Sequence, residues 1–487
     1  MNCDQTFFFY DLETSGIDAK EDRIMQFAGR RTTLNLEPIG EPLNLLVKMP
    51  DDTLPKPQAI QVTGITPQAT QADGLTEAEL CRYLMEEVFT PGTISLGYNT
   101  IRFDDEFMRY LFWRNFYDPY EWQWKDGRGR WDMLDVVRMT RALRPEGINW
   151  PTLPDGKITN KLDMLTVANG IEHANAHDAM ADVDATIAVA QLIREKQPEL
   201  FNYLFEIRDK RVVQQMVNLE DKKPFVYSCG RYGTKHNFTT VAFPLTAGRN
   251  GNVLVYDLRY NLNDLMQKEQ EQVSSEARRD SPSSRVSRAN PRRSSGSSSE
   301  TASRSFYPYV KELQYNHCPA VAPISVLGKN DGWKSIDLEQ KVVEKNLKDL
   351  LAHPEFAEQM RSQREAEPDW PKAVDPESAL YDGFLPDPDR IRCGAIRNAD
   401  ANQLADFTPD FLDERLPELL IHYKGRNFPT SLSAHEATQW EEYRFARLKR
   451  QEAGFKKAVE QLASDEAMDQ GTIEDLVLWH QLCLGSD

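Results

Sequence analysis

The chain has 487 residues, of which 40% are hydrophobic and 10% aromatic, and it carries a formal net charge of −18 at pH 7. This length suits about three domains of ordinary size, and the composition is that of a globular protein. No apolar run approaches the roughly 20 residues that a transmembrane helix needs, so the sequence predicts no membrane-spanning segment.

The negative charge argues against a protein that binds phosphates over its whole surface. Such binding needs only a local basic channel, however, and bound metal ions would reverse the field at an acidic site. The first residues, Met1 to Asp4, lack the basic start and apolar stretch of a signal peptide. The six cysteines are scattered and form no CxxC pair, which favours a reducing cytoplasm and no zinc site.

Residues 1–197 alternate strand-like and helical patterns, which predicts an α/β domain. The predicted strands, in chain order, are Thr6–Tyr10, Gln26–Thr33, Leu43–Lys48 and Thr93–Tyr98. The predicted helices are Glu77–Phe89, Asp105–Asn115, Met133–Leu143 and Ala179–Lys196. Pro198 ends the last helix and, with it, the domain.

The rest of the chain predicts two further domains and no internal repeat. Three strands with Gly-containing turns between them indicate a small β domain: Pro224–Ser228, Thr239–Phe243 and Val253–Leu258. From Lys341 onward the pattern is helical, with long amphipathic stretches at Ala434–Ala463 and Thr472–Leu484. We therefore predict domain boundaries at 1–197, 198–350 and 351–487.

An insert rich in serine and arginine interrupts the middle domain at residues 272–305. Its near lack of apolar residues is typical of a disordered segment. It is either a basic arm that contacts nucleic acid or a solvated segment with no specific role.

Two acidic residues, Asp11 and Glu13, follow the first predicted strand. They are two positions apart, so in an extended backbone their side chains lie on the same face. Two carboxylates so close repel each other and raise a pKa unless a cation compensates their charge. Oxygen ligands suit Mg²⁺ or Mn²⁺. The pair therefore predicts a divalent-metal site at the end of a core strand.

A second polar group follows the predicted strand at Thr93–Tyr98. Asn99 lies in a turn, and Asp104 lies near the start of the next helix. An acid at that position also has an ordinary explanation, because it interacts favourably with the helix dipole.

The third polar group runs from His177 to Asp182. On a regular helix these two residues are about 140° apart and do not share a face. This favours different roles for them, with Asp182 as a metal ligand and His177 as a base. Asp178 is an ordinary first-turn acid, and an isolated histidine is more often a surface or core residue than a catalyst.

Taken together, the three groups follow a known pattern. Asp-x-Glu on a first strand, then Asn-x-x-x-Phe-Asp, then His-x-x-x-x-Asp, resembles the DEDDh superfamily of 3′→5′ exonucleases. The segment Val62–Thr66 between the first two groups also matches. In such enzymes this loop contacts the terminal nucleotide.

Further segments resemble the bacterial exodeoxyribonuclease I family and span nearly the whole chain. They are Phe9–Thr14, Gly97–Asn99, Arg102–Glu106, Arg114–Tyr120, Leu143–Trp150, Ala168–His173, Asn175–Asp182, Tyr381–Phe384 and Arg426–Pro429. The resemblance implies a ribonuclease H-like α/β exonuclease domain, an SH3-like β domain and a helical C-terminal domain. The insert at 272–305 is not a feature of this family.

The resemblance also implies a two-metal site with Mg²⁺ as the cofactor and Mn²⁺ as a substitute. By this resemblance Asp11 would bridge both ions, and Glu13 and Asp182 would complete the site that holds the attacking water. Asp104 would serve the second ion. It is preferred over Asp105 because the motif places the acid directly after phenylalanine.

The same resemblance implies the remaining roles. His177 would deprotonate the attacking water, since a side chain that titrates near neutrality suits a general base. The residues expected to bind the substrate are Glu13, Thr14, Gly64, Ile65, Asn99, Phe103, Arg138 and Lys161.

Members of this family also bind the acidic, Phe-terminated tail of single-stranded DNA-binding protein. Arg144 and Tyr203 fall at matching positions. An arginine can hold a terminal carboxylate with two hydrogen bonds, and an aromatic ring can wall an apolar pocket. The ordinary alternative is that Arg144 pairs with a nearby acid and Tyr203 belongs to a core. We expect a cytoplasmic monomer that binds single-stranded DNA and no membrane.

The activity implied is degradation of single-stranded DNA from its 3′ end to 5′-mononucleotides, in DNA repair and recombination. Basic residues interleaved with aromatic ones, as at Arg109-Tyr110 and Arg130-Trp131, support this because aromatic faces stack bases. One alternative is an RNA- or oligonucleotide-trimming enzyme of the same superfamily, since a 2′-OH preference cannot be read from one sequence. Another is a non-catalytic binding module, against which the intact set of four acids and a histidine argues.

Overall fold

A five-stranded mixed sheet lies in the first part of the computed structural model, which describes residues 5–173, 178–268, 309–368, 371–465 and 469–485. Its strands are β1 (Thr6–Thr14), β2 (Ile24–Thr32), β3 (Pro38–Leu46), β4 (Thr93–Leu96) and β5 (Gly129–Arg130). Their order is β3-β2-β1-β4-β5, with β1 antiparallel to β2 and parallel to β4. His177 and the predicted insert at 272–305 lie outside the described residues.

The central strand, β1, is longer than the sequence predicted. Its aromatic half, Phe7 to Tyr10, is buried on both faces, as expected of a strand covered on both sides. The prediction ended the strand at Tyr10, but pairing with β2 continues through Asp11 and Glu13. Backbone pairing overrides the low strand propensity of acidic residues, so both acids lie within β1.

The main α-helices alternate with the strands and dominate the C-terminal part. They are α1 (Pro57–Thr63), α2 (Pro67–Asp73), α3 (Glu77–Tyr83), α4 (Asp104–Arg114), α5 (Met133–Leu143), α6 (Leu162–Ala168), α7 (Ala179–Lys196), α8 (Pro198–Glu206), α9 (Lys210–Met216), α10 (Gly332–Ser335), α11 (Gln340–Leu351), α12 (Pro354–Ala366), α13 (Asp387–Asn398), α14 (Ala401–Ala405), α15 (Leu416–Asn427), α16 (Ala434–Ala463) and α17 (Gln470–Leu484). Within the described ranges, no helix is both long and apolar enough to cross a bilayer.

Three of these helices, α5, α7 and α16, have the predicted bounds. The helix predicted at Glu77–Phe89 is α-helical only to Tyr83 and continues as a π-helical turn at Leu84–Val88. The helices α1 and α2 were not predicted. Each begins with a proline at its first position, which is a favourable place for it because the missing N–H is not needed there.

A second sheet of five antiparallel strands confirms the predicted β domain. Its strands are β6 (Phe225–Ser228), β7 (Thr239–Ala247), β8 (Val253–Asp257), β9 (Val310–Leu313) and β10 (Ala320–Pro323). Their order is β10-β6-β7-β8-β9. The first three strands correspond to the three predicted from the sequence.

The chain forms two compact units. The first unit comprises residues 1–133, 169–191 and 370–487 and contains the mixed sheet; the second comprises residues 134–168 and 192–369 and contains the antiparallel sheet. The first unit is thus built from both ends of the chain. The division at 1–197, 198–350 and 351–487 stays a prediction.

Within the first unit, C-terminal helices share a hydrophobic core with N-terminal residues. Met25 and Ile60 pack in one cluster with Leu448 and Trp479, and each of the four is at most 2% exposed. Trp479 Nε1 also donates a hydrogen bond to the Thr53 carbonyl oxygen at 3.0 Å. Burying each such side chain contributes about 1.5–3 kcal/mol to stability.

A buried ion-pair network connects the same parts of the first unit. Arg426 Nη2 lies 2.6 Å from both Asp52 Oδ2 and Glu377 Oε1. Arg23 Nη2 lies 2.7 Å from Glu377 Oε2, and Arg447 Nε lies 3.6 Å from Asp52 Oδ2. Burial alone would raise the pKa of Asp52, but the surrounding guanidinium groups hold it below its usual value. Removing one partner of a buried pair costs about 3–5 kcal/mol, because the other charge is left uncompensated.

Candidate metal centre

Asp11 and Glu13 project from the same face of β1, because they are two residues apart on the strand. Burial raises the pKa of Asp11 well above its usual value, and the charges of Asp104 and Asp182 raise it further. Burial, followed by the charges of Asp11 and Asp182, raises the pKa of Glu13 from 4.5 to about 8. Carboxyls gathered in this way favour the binding of a cation.

The third carboxylate of the cluster comes from α7. One carboxylate oxygen each of Asp11, Glu13 and Asp182 lies within 4.8 Å of the other two. Asp178 caps the helix, since its Oδ1 accepts a hydrogen bond from the Ala181 N–H at 3.0 Å. This cap satisfies a free N–H of the first turn, from which Asp182 projects. The structure thus brings three of the predicted acids together and gives Asp178 a structural role.

The fourth predicted acid, Asp104, adjoins this cluster. Its Oδ1 accepts a hydrogen bond from the Leu12 N–H on β1 at 3.1 Å. Asp104 is 3% exposed, and its burial raises its pKa well above the usual value. After burial, its charge is the largest cause of the raised pKa of Asp11. The cluster within 4.8 Å does not itself include Asp104.

The turn from β4 into α4 determines where Asp104 lies. A Cβ on Gly97 would lie 2.5 Å from the Tyr10 carbonyl oxygen, so only glycine fits the close approach of β4 to β1. Asn99 adopts a left-handed backbone with φ of 72°, which asparagine tolerates better than most residues. The Asn99 N–H donates to Asp132 Oδ1 at 3.0 Å. The turn continues through a short 3₁₀ helix at Thr100–Arg102 into α4, whose first residue is Asp104.

Asp105, the next residue, has other partners. Its Oδ1 accepts a hydrogen bond from Tyr10 Oη at 2.6 Å, and its Oδ2 pairs with Arg130. Arg109 Nη2 lies 3.9 Å from the same Oδ2. Asp105 is 1% exposed. These contacts compensate its charge within the protein and support the choice of Asp104 as the acid of the metal site.

A histidine that the sequence analysis did not single out contacts the cluster. His173 Nε2 lies 2.7 Å from Asp182 Oδ1, and the His173 side chain is 2% exposed. It lies before α7 in a segment without helical or strand periodicity, so no spacing rule relates it to Asp182. The one sequence feature that could have identified His173 is its place in Ala168–His173, one of the segments on which the family resemblance rests. His177 lies outside the described residues, and its role stays a prediction.

Four predicted substrate contacts besides Glu13 and Asn99 lie in the first unit. Thr14 is the last residue of β1 and is 6% exposed. Gly64 ends α1 with φ of 69°, and a Cβ there would meet no atom within 4 Å, so its backbone is accessible. Ile65 follows it and is half-buried. The Phe103 ring, directly before Asp104, lies 5.1 Å from that of Phe107. Their contacts with a substrate stay predictions.

The other two predicted substrate contacts, Arg138 and Lys161, lie in the second unit. Arg138 Nη1 lies 2.6 Å from Asp135 Oδ1, and its guanidinium carbon lies 5.2 Å from the centre of the Phe238 ring. Lys161 is exposed. The stacked guanidinium is a planar cationic surface of the kind that binds phosphates and bases.

The predicted partner-binding residues, Arg144 and Tyr203, also lie in the second unit. A cavity of about 230 Å³ is lined by Arg144, Gln197, Pro198, Glu199 and Leu200. Tyr203 is half-buried, and its hydroxyl donates to the Val321 carbonyl oxygen at 3.1 Å. Arg144 therefore borders a cavity, whereas the Tyr203 hydroxyl is occupied within the protein.

Three protein-family models match this chain. The Exonuclease model matches residues 8–190, the Exonuclease I SH3-like domain residues 208–281, and the Exonuclease I C-terminal domain residues 374–483. Exodeoxyribonuclease I of Haemophilus influenzae is 38% identical over 461 residues, which are 94% of each chain.

Solved structures are similar over nearly the whole chain. Exonuclease I of E. coli in complex with a dA16 oligonucleotide has a TM-score of 0.86 at 34% identity, covering 99% of this chain and 100% of the other. A structure of SSB/exonuclease I in complex with the inhibitor CFAM has a TM-score of 0.83 at 33% identity, with the same coverage.

Proposed function

The chain belongs to the exodeoxyribonuclease I family, and on this basis we propose that it degrades single-stranded DNA from the 3′ end to 5′-mononucleotides in a metal-dependent reaction. The observation that carries the proposal is the cluster of Asp11, Glu13 and Asp182, whose carboxylate oxygens lie within 4.8 Å of one another. The oligonucleotide bound to the E. coli enzyme supports single-stranded DNA as the substrate. A role in DNA repair and recombination is part of the proposal.

The donor set fits Mg²⁺, because all of its ligand atoms are carboxylate oxygens. We propose two ions, with Mn²⁺ as a substitute. Asp11 would help to hold both ions, Glu13 and Asp182 would complete the site of one, and Asp104 would serve the other. When bound there, divalent ions would lower the pKa of the attacking water and stabilise negative charge on the phosphate and the leaving oxygen.

We assign to His177 the removal of a proton from the attacking water, because histidine is the side chain whose unperturbed pKa lies nearest neutrality. A general base of this kind contributes about 10²–10⁴ in rate. The contact between His173 Nε2 and Asp182 Oδ1, at 2.7 Å, limits the rotation of that carboxylate. The proposed nucleotide contacts remain Glu13, Thr14, Gly64, Ile65, Asn99, Phe103, Arg138 and Lys161.

A protein partner is part of the proposal. The cavity of about 230 Å³ beside Arg144 has room for the end of a peptide, and a guanidinium at its wall suits a terminal carboxylate. The SSB/exonuclease I structure among the similar proteins supports the acidic tail of single-stranded DNA-binding protein as the ligand, with Tyr203 in the same region. We further propose a cytoplasmic monomer.

The domain division at 1–197, 198–350 and 351–487 belongs to the same proposal. The three family matches, at 8–190, 208–281 and 374–483, fall one in each predicted domain. The mixed sheet, the antiparallel sheet and the long C-terminal helices are distributed in the same way along the chain.

A 5′-labelled DNA single strand tests the proposal. It should shorten stepwise from its 3′ end with Mg²⁺ and remain intact with EDTA, and a matched RNA strand should be degraded much more slowly. Asp11→Ala should abolish cleavage. Asp184→Asn is the matched control, because Asp184 lies on α7 but is exposed and pairs with Arg30 at 2.9 Å. Cleavage in EDTA, or equal rates on DNA and RNA, would contradict the proposal.

A further inference from the structure

A buried polar network lies on the opposite side of β1 from Asp11 and Glu13. Tyr10 Oη donates to Asp105 Oδ1 at 2.6 Å, and Arg130 pairs with Asp105 Oδ2. We propose that Tyr10 and Arg130, acting through Asp105, are positioning residues that hold the first turn of α4 against β1 and so place the carboxylate of Asp104 at the metal centre. The inference rests on the proposed function, because it assigns Asp104 to metal binding.

The strand geometry gives Tyr10 this position. Tyr10 and Asp11 are neighbours on β1, so their side chains lie on opposite faces. The Tyr10 ring is 1% exposed, stacks on Phe27 with centroids 5.8 Å apart, and meets the edge of Trp122 at 6.3 Å. Because the ring is held by core packing, its hydroxyl is a fixed point to which α4 is attached.

Two consecutive residues at the start of α4 are bonded to β1. The Leu12 N–H donates to Asp104 Oδ1 at 3.1 Å, and Tyr10 Oη donates to Asp105 Oδ1. Phe103, which precedes the helix, makes no side-chain capping bond. These tertiary contacts add to the backbone hydrogen bonds of the first turn, such as that from the Glu106 N–H to the Phe103 carbonyl oxygen at 3.0 Å. A shift of Asp105 is transmitted to Asp104 through their shared peptide group.

The charge of Asp105 is compensated from two other elements. Arg130 lies on β5 and is 7% exposed, and Arg109 lies one turn further along α4 with its Nη2 3.9 Å from Asp105 Oδ2. A buried carboxylate without such partners is costly. In addition to burial, the charge of Asp105 raises the pKa of Asp104. The guanidinium groups therefore allow a second carboxylate to lie beside a metal ligand.

The variant Tyr10→Phe separates positioning from packing, because it removes one hydroxyl and changes neither the charge nor the ring. Tyr315→Phe is the matched control in the second unit. The Tyr315 hydroxyl donates to the Val217 carbonyl oxygen at 2.7 Å, and Tyr315 is 7% exposed. Both variants lose one buried hydrogen bond, so both should unfold at a lower temperature, Tyr10→Phe by more because its hydrogen bond is to a carboxylate.

Calorimetric titration of the full-length proteins with Mn²⁺, in the absence of DNA, gives a readout independent of activity. Tyr10→Phe should bind Mn²⁺ about fivefold more weakly, the equivalent of one hydrogen bond, while Tyr315→Phe binds as the wild type does. If Tyr10→Phe lost only stability and kept the Mn²⁺ affinity of the wild type, this inference would be overturned while the proposed function would stand. If the Asp11→Ala variant bound Mn²⁺ as tightly as the wild type, that result would instead contradict the proposed function.

Discussion

The raised pKa of Glu13 predicts that the metal-free protein is destabilised by its own acid cluster. The pKa rises from 4.5 to about 8 in the folded protein, so the folded state holds the proton more tightly than the unfolded state. The folded state therefore loses stability as the pH rises from 4.5 to about 8. The difference, 8 − 4.5, is about 3.5 units, which at about 1.36 kcal/mol each amounts to roughly 5 kcal/mol.

Glu13→Gln replaces this carboxyl with a neutral amide and should remove the penalty. In EDTA at about pH 8.5, the variant should exceed the wild type in free energy of unfolding by up to roughly 5 kcal/mol, whereas the two should differ little at about pH 5. For a compact unit of about 250 residues, each kcal/mol shifts the Tm by roughly 2 °C, so this corresponds to an increase in Tm of about 10 °C. In Mg²⁺ the order should reverse, since the variant lacks a metal ligand.

Urea unfolding followed by tryptophan fluorescence, in EDTA at the two pH values, measures this effect. Asp184→Asn is the control, because its carboxylate is 51% exposed and surface ion pairs contribute only about 0–1 kcal/mol. Its effect should be small and the same at both pH values. If Glu13→Gln were no more stable than the wild type in EDTA at high pH, the carboxyl of Glu13 would not be destabilising and the reasoning would be refuted.

Four further predictions concern single side chains. Asp11→Ala should abolish cleavage without lowering the Tm in EDTA, because the acid holds metal and its buried charge is repelled by the neighbouring acids; a lower Tm would reveal a structural role. His177→Ala should lose about 10²–10⁴ in rate while keeping its metal affinity, measured by calorimetry; a collapse of that affinity would make it a ligand. Arg144→Ala should weaken binding of a labelled tail peptide about 10- to 100-fold in fluorescence anisotropy, without slowing digestion of naked DNA. Arg426→Met should cost about 3–5 kcal/mol in urea unfolding, since Asp52 loses its nearest cation.

Much of the regular structure follows from local patterns in the sequence. The helices α5, α7 and α16 have the predicted bounds because their apolar periodicity and end signals agree. The antiparallel sheet was also predicted, although β9 and β10 were not. Their sequences, Val-Lys-Glu-Leu and Ala-Val-Ala-Pro, are rich in lysine, glutamate, alanine and proline, which are depleted in strands.

Features determined by tertiary pairing could not be predicted in the same way. Asp11 and Glu13 lie inside β1 because β2 pairs alongside them, and no local propensity indicates that. The approach of His173 to Asp182 depends on a segment without periodicity. The hydrogen bond between Tyr10 and Asp105 joins residues 95 positions apart. The sequence motifs identify the acids, whereas these tertiary contacts determine how the side chains of the acids are held.

Because the first unit is built from both ends of the chain, it cannot form completely until the C-terminal residues have been synthesised. At about 5–20 residues per second, the 236 residues between positions 133 and 370 (370 − 133 − 1) take roughly 12–47 s to translate. During this interval the nascent chain contains Arg23 and Asp52 but not Glu377, Arg426 or Arg447, with which they pair. The N-terminal sheet therefore cannot complete its folding unit on the ribosome. We therefore expect a chain that stops before its C-terminal helices to lack these ion pairs and to be more sensitive to proteases than the full-length protein.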